Sequence, residues 1–241
     1  QNIALSDIYC VVCAGNMTMM HLLLKIDPTN IRKAPYVPTT LVFETIHAPE
    51  AGIEINPRGI AAFLPGVTTY VGGDIVSGVI ACGLAENDEL SLLIDIGTNG
   101  EIVLGNKEWM IGAAASAGPA FEGSGMECGM KAVKGAIQRA EIDKDLNVKI
   151  VTIGDGKPKG ICGSGYIDLL CQMLKRGVMG KNGKINSDLR SRNIRKTEVG
   201  YEFVVAGNIV ITEDDIENLK RSKGAIYSAI IALLNKVEKP L

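Results

Sequence analysis

The stretch that most constrains the fold of this chain is residues 90–105, Leu-Ser-Leu-Leu-Ile-Asp-Ile-Gly-Thr-Asn-Gly-Glu-Ile-Val-Leu-Gly. Its apolar residues at 92–96 predict a buried strand, and residues 101–104 predict the return partner in a hairpin. Asp95 would then lie at the carboxyl end of the first strand. The connection offers small side chains, a hydroxyl and backbone N–H groups through Gly97, Thr98, Asn99 and Gly100.

Two interpretations of this hairpin follow from its residues. In the first, backbone N–H groups and the Thr98 hydroxyl bind a phosphate, and Asp95 directs a metal ion to it. In the second, Asn99 and Gly100 form a type I′ turn, and Asp95 is a carboxylate satisfied within that turn. The residues alone leave both open.

Three other segments carry similar alternatives. Glu122 follows a run of small residues at 113–120 and is either a catalytic carboxylate or a loop carboxylate capping Ser124 or Gly125. The turn at 160–165 precedes a helix and either contacts an anion or allows close helix packing. Asp74 is expected at the N-cap of a helix, with a nucleotide or metal contact as its alternative.

The remaining chain predicts an α/β protein. Residues 27–68 hold six of the nine prolines and are expected to form an irregular surface connector with one short strand. The helix from residue 75 is small or apolar on every face, which predicts burial on several sides. Further elements are a strand at 8–14, a helix at 18–25, hairpins at 136–153 and 201–211, and a polar basic loop at 180–200. Residues 212–215 predict the cap and acidic first turn of a long last helix, whose apolar residues form one stripe expected to face the core.

Composition argues against several classes of protein. The net charge of −2 gives no electrostatic basis for nucleic-acid binding. No apolar run approaches the roughly 20 residues of a membrane-spanning helix, and no signal peptide opens the chain, so we expect no membrane association and a cytoplasmic location. The six cysteines lie mostly beside apolar residues, as reduced thiols do. Cys10 and Cys13 would face opposite sides of a strand, which argues against a shared metal ion. The two histidines have no neighbouring ligand set, which argues against zinc catalysis.

The hairpin also resembles a known motif. Asp-Ile-Gly-Thr-Asn-Gly-Glu at 95–101 is similar to a phosphate hairpin of the superfamily of acetate kinases, sugar kinases, heat-shock chaperones and actin. More narrowly, five blocks resemble the ATPase region of the reductive activators of corrinoid proteins, which are iron–sulfur proteins. The blocks occupy residues 14–19, 72–74, 95–101, 117–123 with 128–132, and 160–165.

The resemblance implies an incomplete ribonuclease-H-like, actin-like ATPase fold, with mixed sheets flanked by helices and added β-hairpins. Residues 1–89 would form part of the first ATPase lobe, including the connector at 27–68. Residues 90–241 would form the second lobe with its phosphate hairpin, without the C-terminal adenosine motif. The chain would be a central fragment of a larger protein, and the iron–sulfur cluster would lie in an N-terminal domain outside it.

The implied activity is ATP-dependent reduction of an inactive Co(II) corrinoid protein to Co(I), in support of methyl transfer in anaerobic metabolism. The implied partner is a corrinoid protein or a corrinoid methyltransferase component, and the chain could also form a homodimer. ATP and Mg²⁺ would bind to the full-length ATPase, whereas the fragment alone is expected to be weak or inactive. Two rival functions are a small-molecule kinase, with Glu122 or Asp74 as base, and a non-enzymatic docking module that uses apolar helices and the basic segment 181–196.

The resemblance also assigns site residues. Asp95 would contact Mg²⁺ through water, and Asp95 and Glu122 would be the catalytic carboxylates. Phosphate would be bound by Thr98 and Asn99 with the backbones of Gly97 and Gly100. A further nucleotide contact would come from Gly163, Ser164 and Gly165.

Overall fold

The structure is a computed structural model that describes residues 3–238, so the outermost residues of both predicted lobes, 1–2 and 239–241, lie outside it. The described chain divides into two compact units. The first unit contains the residues up to 95, residues 101–114 and the chain from 232, and the second contains residues 96–100 and 115–231. Among residues 3–238, no helix has both the length and the apolar character needed to cross a bilayer.

The first unit begins with a small mixed sheet. Its strands are β1 (Cys10–Cys13), β2 (Ile46–His47) and β3 (Ile60–Phe63), and β3 lies in the middle, parallel to β1 and antiparallel to β2. Helix α1 (Met17–Leu23) follows β1, and the short helix α2 (Thr29–Arg32) follows α1. The Asn16 side chain caps α1 by accepting from the Met19 N–H at 2.9 Å. The core of this sheet includes Met17, Met20, Phe43, Ala61 and Phe63.

The connector at 27–68 differs from its prediction. It contains two strands instead of one, and β3 is the central strand of the sheet. Its residues do not simply cover the surface, since Phe43, Ala48 and Phe63 are buried. The prolines remove backbone donors around β3 but not within it, so β3 can pair on both sides. That pairing is between residues distant in sequence, which a local pattern cannot reveal.

A second sheet holds the predicted hairpin. Its strands are β4 (Ser91–Ile96), β5 (Gly100–Gly105) and β6 (Met110–Ala115), in the order β4-β5-β6. Helix α3 (Gly73–Ala81) precedes them, and its Ile75 and Val79 pack with Val71, Leu93 and Val103. The two strands predicted for the hairpin are confirmed.

The burial predicted for this region is wrong in two places. Alternate residues of β4 are exposed, with fractions of 42% for Leu92 and 48% for Ile96, because β4 is an edge strand with an uncovered face. Helix α3 is buried at Gly73 and Ile75, but Ile80 is 62% exposed. The periodicity of a sequence shows which residues can be buried and does not show whether a partner covers them.

Helix α3 also begins earlier than predicted. Gly72 is the N-cap, so Asp74 lies inside the first turn, where its carboxylate accepts from the Ile75 N–H at 2.9 Å. A Cβ atom on Gly73 would lie 2.6 Å from the Leu64 carbonyl oxygen, which explains a glycine at that position. The prediction of Asp74 as N-cap is therefore wrong.

The second unit combines two sheets with two helices. The first sheet has β7 (Ala136–Ile142) between β8 (Val148–Thr152) and β9 (Gly160–Ile161), and the second has the order β10 (Ile194–Lys196), β11 (Tyr201–Ala206), β12 (Ile209–Thr212). Helix α4 (Gly163–Lys175) packs on β7, and the core includes Ile137, Ile142, Leu169, Phe203 and Ile216. Both predicted hairpins are confirmed.

The long helix α5 (Glu213–Lys236) has the predicted N-terminal cap. The Thr212 hydroxyl accepts from the Asp215 N–H at 3.1 Å, and the Asp215 carboxylate accepts from the Thr212 N–H at 3.0 Å. These reciprocal bonds form a capping box. Asp215 also accepts from the Glu127 N–H at 2.8 Å, which fixes the start of α5 to the distant loop that contains Glu127.

Helix α5 contains one glycine that packing does not require. A Cβ atom on Gly224 would meet no atom within 4 Å. We therefore expect Gly224→Ala to raise the free energy of unfolding by about 0.5–1 kcal/mol, because alanine loses less backbone entropy in a helix. Urea denaturation measures this change. Gly177→Ala is the matched control, because its site is equally open but its φ of +70° should make that substitution destabilising.

Candidate functional site

The loop between β4 and β5 does not form the type I′ turn of the second interpretation. A type I′ turn needs positive φ at both central residues, and neither Asn99 nor Gly100 has positive φ. The connection is instead the three residues Gly97, Thr98 and Asn99, closed by a bond from the Gly97 N–H to the Asn99 carbonyl oxygen at 2.9 Å. The preference of Asn-Gly for a two-residue hairpin turn therefore does not explain the shape of this loop.

The Thr98 hydroxyl contacts the other predicted carboxylate. It donates to Glu122 Oε2 at 2.5 Å, and a Cβ atom on Gly97 would lie 3.9 Å from Glu122 Oε1. The Glu122 carboxylate therefore faces the hairpin loop. It does not cap the residues after it, since the Ser124 N–H donates to the Pro119 carbonyl oxygen at 3.1 Å.

Two glycines set the position of Glu122. The residue ends a short 3₁₀ turn, Pro119–Glu122, which is flanked by Gly118 and Gly123 with φ values of +76° and +79°. Residues that carry a side chain rarely adopt such φ values. Gly123 is further constrained, because a Cβ atom there would lie 2.7 Å from the Met130 carbonyl oxygen. The glycines around Glu122 are therefore required by the backbone conformation, and that conformation also orients the Glu122 side chain.

Asp95 lies on β4, one residue before the strand ends, and is exposed. Its carboxylate has no hydrogen-bond or ion-pair partner within residues 3–238. It is therefore not hydrogen-bonded within the turn, as the second interpretation requires. The described residues also contain no group of three or more His, Cys, Asp or Glu side chains arranged to hold a metal. A magnesium contact through Asp95 stays a prediction, since Mg²⁺ often takes only one or two carboxylates and fills its other positions with phosphate and water.

The glycines at the start of α4 are tightly packed. A Cβ atom on Gly163 would overlap the Phe121 carbonyl oxygen, and one on Gly165 would overlap the Ile137 carbonyl oxygen. Close packing is thus a sufficient reason for both glycines. Ser164 differs, because it is exposed and lines an open groove of about 730 Å³ beside Arg139 and Asp168. A nucleotide contact by the three residues stays a prediction.

The half-buried Cys128 and the buried Tyr166 are poor candidates for chemistry. Burial raises the pKa of the Cys128 thiol above its ordinary value. Burial, followed by the nearby Asp215 carboxylate, raises the pKa of the Tyr166 hydroxyl. Both groups therefore stay protonated at neutral pH, and a protonated thiol is a weak nucleophile.

The sequence pattern assigned the apolar stripe of α5 to the core and did not identify a role for its polar face. Asn218, Arg221 and Ser222 line a cavity of about 260 Å³ with the loop at 117–125 that carries Glu122. The Ser222 hydroxyl donates to the Ala117 carbonyl oxygen at 2.6 Å, and the Asn218 amide donates to the Gly125 carbonyl oxygen at 3.1 Å. Their spacing of three and four residues was the available signal, because it places them on one helix face.

Comparisons with known proteins agree with this architecture. The family described as "C-terminal domain of RACo the ASKHA domain" matches residues 89–240, and the family described as "RACo middle region" matches residues 1–87. The solved structure titled "Reductive activator for corrinoid,iron-sulfur protein" superposes with a TM-score of 0.87 at 50% identity, over 99% of this chain and 40% of that one.

Two curated relatives are similar in sequence. "Corrinoid activation enzyme RamQ" of Eubacterium limosum is 31% identical over 242 residues, which are 94% of this chain and 40% of that protein. "[Co(II) methylated amine-specific corrinoid protein] reductase" of Methanosarcina barkeri is 28% identical over 70% of this chain and 33% of its own length. The chain therefore spans less than half of the length of each of these three proteins.

Proposed function

Because the chain belongs to the RACo family and contains its middle region and ASKHA domain sequence, we propose that it is the nucleotide-binding part of a reductive activator of a corrinoid protein. The ASKHA domain has the actin-like ATPase fold, which implies nucleotide binding. The reaction proposed for the full-length protein is the one-electron reduction of Co(II) to Co(I) in a partner corrinoid protein, driven by ATP. The electron would come from an iron–sulfur cluster held outside this chain.

The observation that carries the proposal is the contact between Thr98 and Glu122. It brings a carboxylate to a loop of small residues that follows the unpartnered Asp95. ATP hydrolysis needs donors for the phosphates and a group that orients or deprotonates the attacking water. The Gly97 N–H is already bonded to the Asn99 carbonyl oxygen, so the N–H groups of Thr98 and Asn99 and the Thr98 hydroxyl supply the donors. Glu122 supplies the base.

Mg²⁺ would be directed by Asp95 through water, and when bound it neutralises charge on the phosphates. The Thr98 hydroxyl has a single proton, which it donates to Glu122 in the free protein. A phosphate that accepts the hydrogen bond of this hydroxyl would release Glu122 for contact with water. Nucleotide binding and activation of the carboxylate are thereby linked through one hydrogen bond.

ATP can drive an uphill reduction only by changing the affinity of the activator for the two states of its partner. The proposed partner is therefore a corrinoid protein or the corrinoid component of a methyltransferase. The lobe assignments of 1–89 and 90–241, a homodimer and a cytoplasmic location remain predictions. Family membership favours an activator over the small-molecule kinase and the docking module.

The experiment that tests the proposal is ATP hydrolysis by the full-length protein with and without its Co(II) corrinoid partner. We expect the partner to stimulate turnover and the corrinoid absorption spectrum to change to that of Co(I). Turnover that is absent under both conditions would instead favour the docking module and a structural hairpin.

Replacement of the Thr98 hydroxyl should weaken nucleotide binding. We expect Thr98→Val to reduce the affinity for ATP about 10-fold, since a hydrogen bond to a charged group contributes about 1.5–3 kcal/mol. Thr98→Ser keeps the hydroxyl and should retain an affinity within about twofold of the original. Calorimetric titration of the full-length protein measures both, and equal affinities of the valine and serine variants would contradict the contact.

A further inference from the structure

The cavity beside the Glu122 loop has one unused cation. Of its polar side chains, Ser222 and Asn218 already donate to the loop carbonyl oxygens of Ala117 and Gly125. Arg221 has only a loose ion pair, from its Nε to Glu217 Oε1 at 3.5 Å, with both side chains well exposed. Exposed pairs of this kind contribute little to stability. The guanidinium is therefore available to a ligand.

The neighbouring lysine on α5 is not available in the same way. Lys220 Nζ donates to the Asn182 carbonyl oxygen at 2.8 Å and to Glu217 at 2.9 Å. It also does not line the cavity. Arg221 is thus the cation that this cavity presents.

The loop side of the cavity is open at the backbone. Cβ atoms on Gly118 and Gly125 would meet no atom within 4 Å, so a ligand can approach the main chain there. The Ser124 hydroxyl lies on the same wall. A guanidinium and a hydroxyl form a surface suited to an oxyanion, because arginine matches phosphate with two parallel hydrogen bonds.

The volume of the cavity limits what it can hold. At about 260 Å³ it is smaller than the roughly 300–1,000 Å³ of pockets that enclose a whole drug-sized ligand. It can take a phosphate group better than a complete nucleotide. A bound phosphate would also need a positive charge nearby, since Glu122 already brings a negative charge to the loop that would receive the polyphosphate.

We propose that Arg221 binds a phosphate group of the nucleotide in this cavity and offsets the negative charge of Glu122. Asn218 and Ser222 are positioning residues, because they hold the 117–125 loop against the same face of α5. This inference rests on the proposed function and adds to it a binding residue outside the hairpin.

The test is calorimetric titration of the full-length protein with ATP, tripolyphosphate and adenosine. We expect Arg221→Ala to weaken binding of ATP and tripolyphosphate about 10-fold or more, and to leave adenosine binding unchanged. Arg221→Lys should restore only part of the affinity, because lysine is a point charge without the planar fork. Lys220→Ala is the matched control and should bind all three ligands as the unaltered protein does.

Each other outcome overturns the inference in a recognisable way. If Arg221→Ala binds ATP normally while Thr98→Val does not, the cavity is outside the nucleotide site and the proposed function stands. If only tripolyphosphate binding falls, the cavity is a separate site for free phosphate anions. If adenosine binding falls as well, Arg221 contacts the nucleoside. If the unaltered protein binds neither ATP nor tripolyphosphate, this inference and the proposed function fail together.

Discussion

Asp95→Ala in the full-length protein is expected to lower partner-stimulated ATP hydrolysis by about 10²–10³-fold, which is the range lost when one preorganised electrostatic contact to a transition state is removed. The fold should be unaffected, because Asp95 is exposed and its carboxylate makes no internal hydrogen bond or ion pair within residues 3–238. Steady-state turnover and a urea denaturation curve of the same preparation measure the two effects separately.

The control for this substitution is Glu89→Ala. Glu89 is also an exposed acidic residue, and it lies just before the strand that carries Asp95. Its loss removes the same charge from the surface without touching the hairpin, so turnover should change by less than about twofold. Unchanged turnover in Asp95→Ala would remove Asp95 from the site and with it the proposed route for Mg²⁺.

A second readout tests whether Asp95 acts through Mg²⁺. If Asp95 acts through Mg²⁺, the alanine variant should need a higher Mg²⁺ concentration for half-maximal turnover. If Asp95 had no such role, the Mg²⁺ dependence would match that of the Glu89→Ala control. The comparison requires only a titration of Mg²⁺ at fixed ATP.

Local patterns in the sequence were sufficient for the elements whose partners are close in the chain. The hairpins of the second unit and the cap of α5 were predictable, because turn residues, alternation and capping residues act over a few positions. Strand β3 was not, since prolines surround it and its partner β1 lies about 50 residues earlier. Parallel pairing leaves no short-range signal.

The site shows the same division. The composition of the β4–β5 loop was visible in the sequence, whereas the bond from Thr98 to Glu122 joins residues 24 positions apart. The sequence could show that Glu122 is unusual, but it could not predict where the side chain points. That direction depends on the positive φ values of Gly118 and Gly123. Arg221 was hidden for a related reason, since α5 presents apolar and polar faces and only the fold shows what each face meets.

The glycines at the start of α4 illustrate a motif whose two explanations can now be separated. Gly163→Ala is expected to lower the free energy of unfolding by about 3 kcal/mol, because its methyl group would overlap the Phe121 carbonyl oxygen and the backbone would have to shift. Urea denaturation measures this change. Gly224→Ala, with the opposite expected sign, controls for the general effect of replacing a helical glycine by alanine.

The nucleotide affinity of Gly163→Ala then decides between packing and ligand contact. If Gly163 serves packing alone, the variant should bind ATP within about twofold of the unaltered protein under conditions where it remains folded. If its backbone contacts the nucleotide, affinity should fall beyond that range in the folded protein, and Ser164→Ala should weaken binding too. Because Phe121 immediately precedes Glu122, a shift of the backbone at Phe121 in the folded variant would also displace the Glu122 carboxylate. A loss of turnover with unchanged affinity would therefore show that this packing contact positions Glu122.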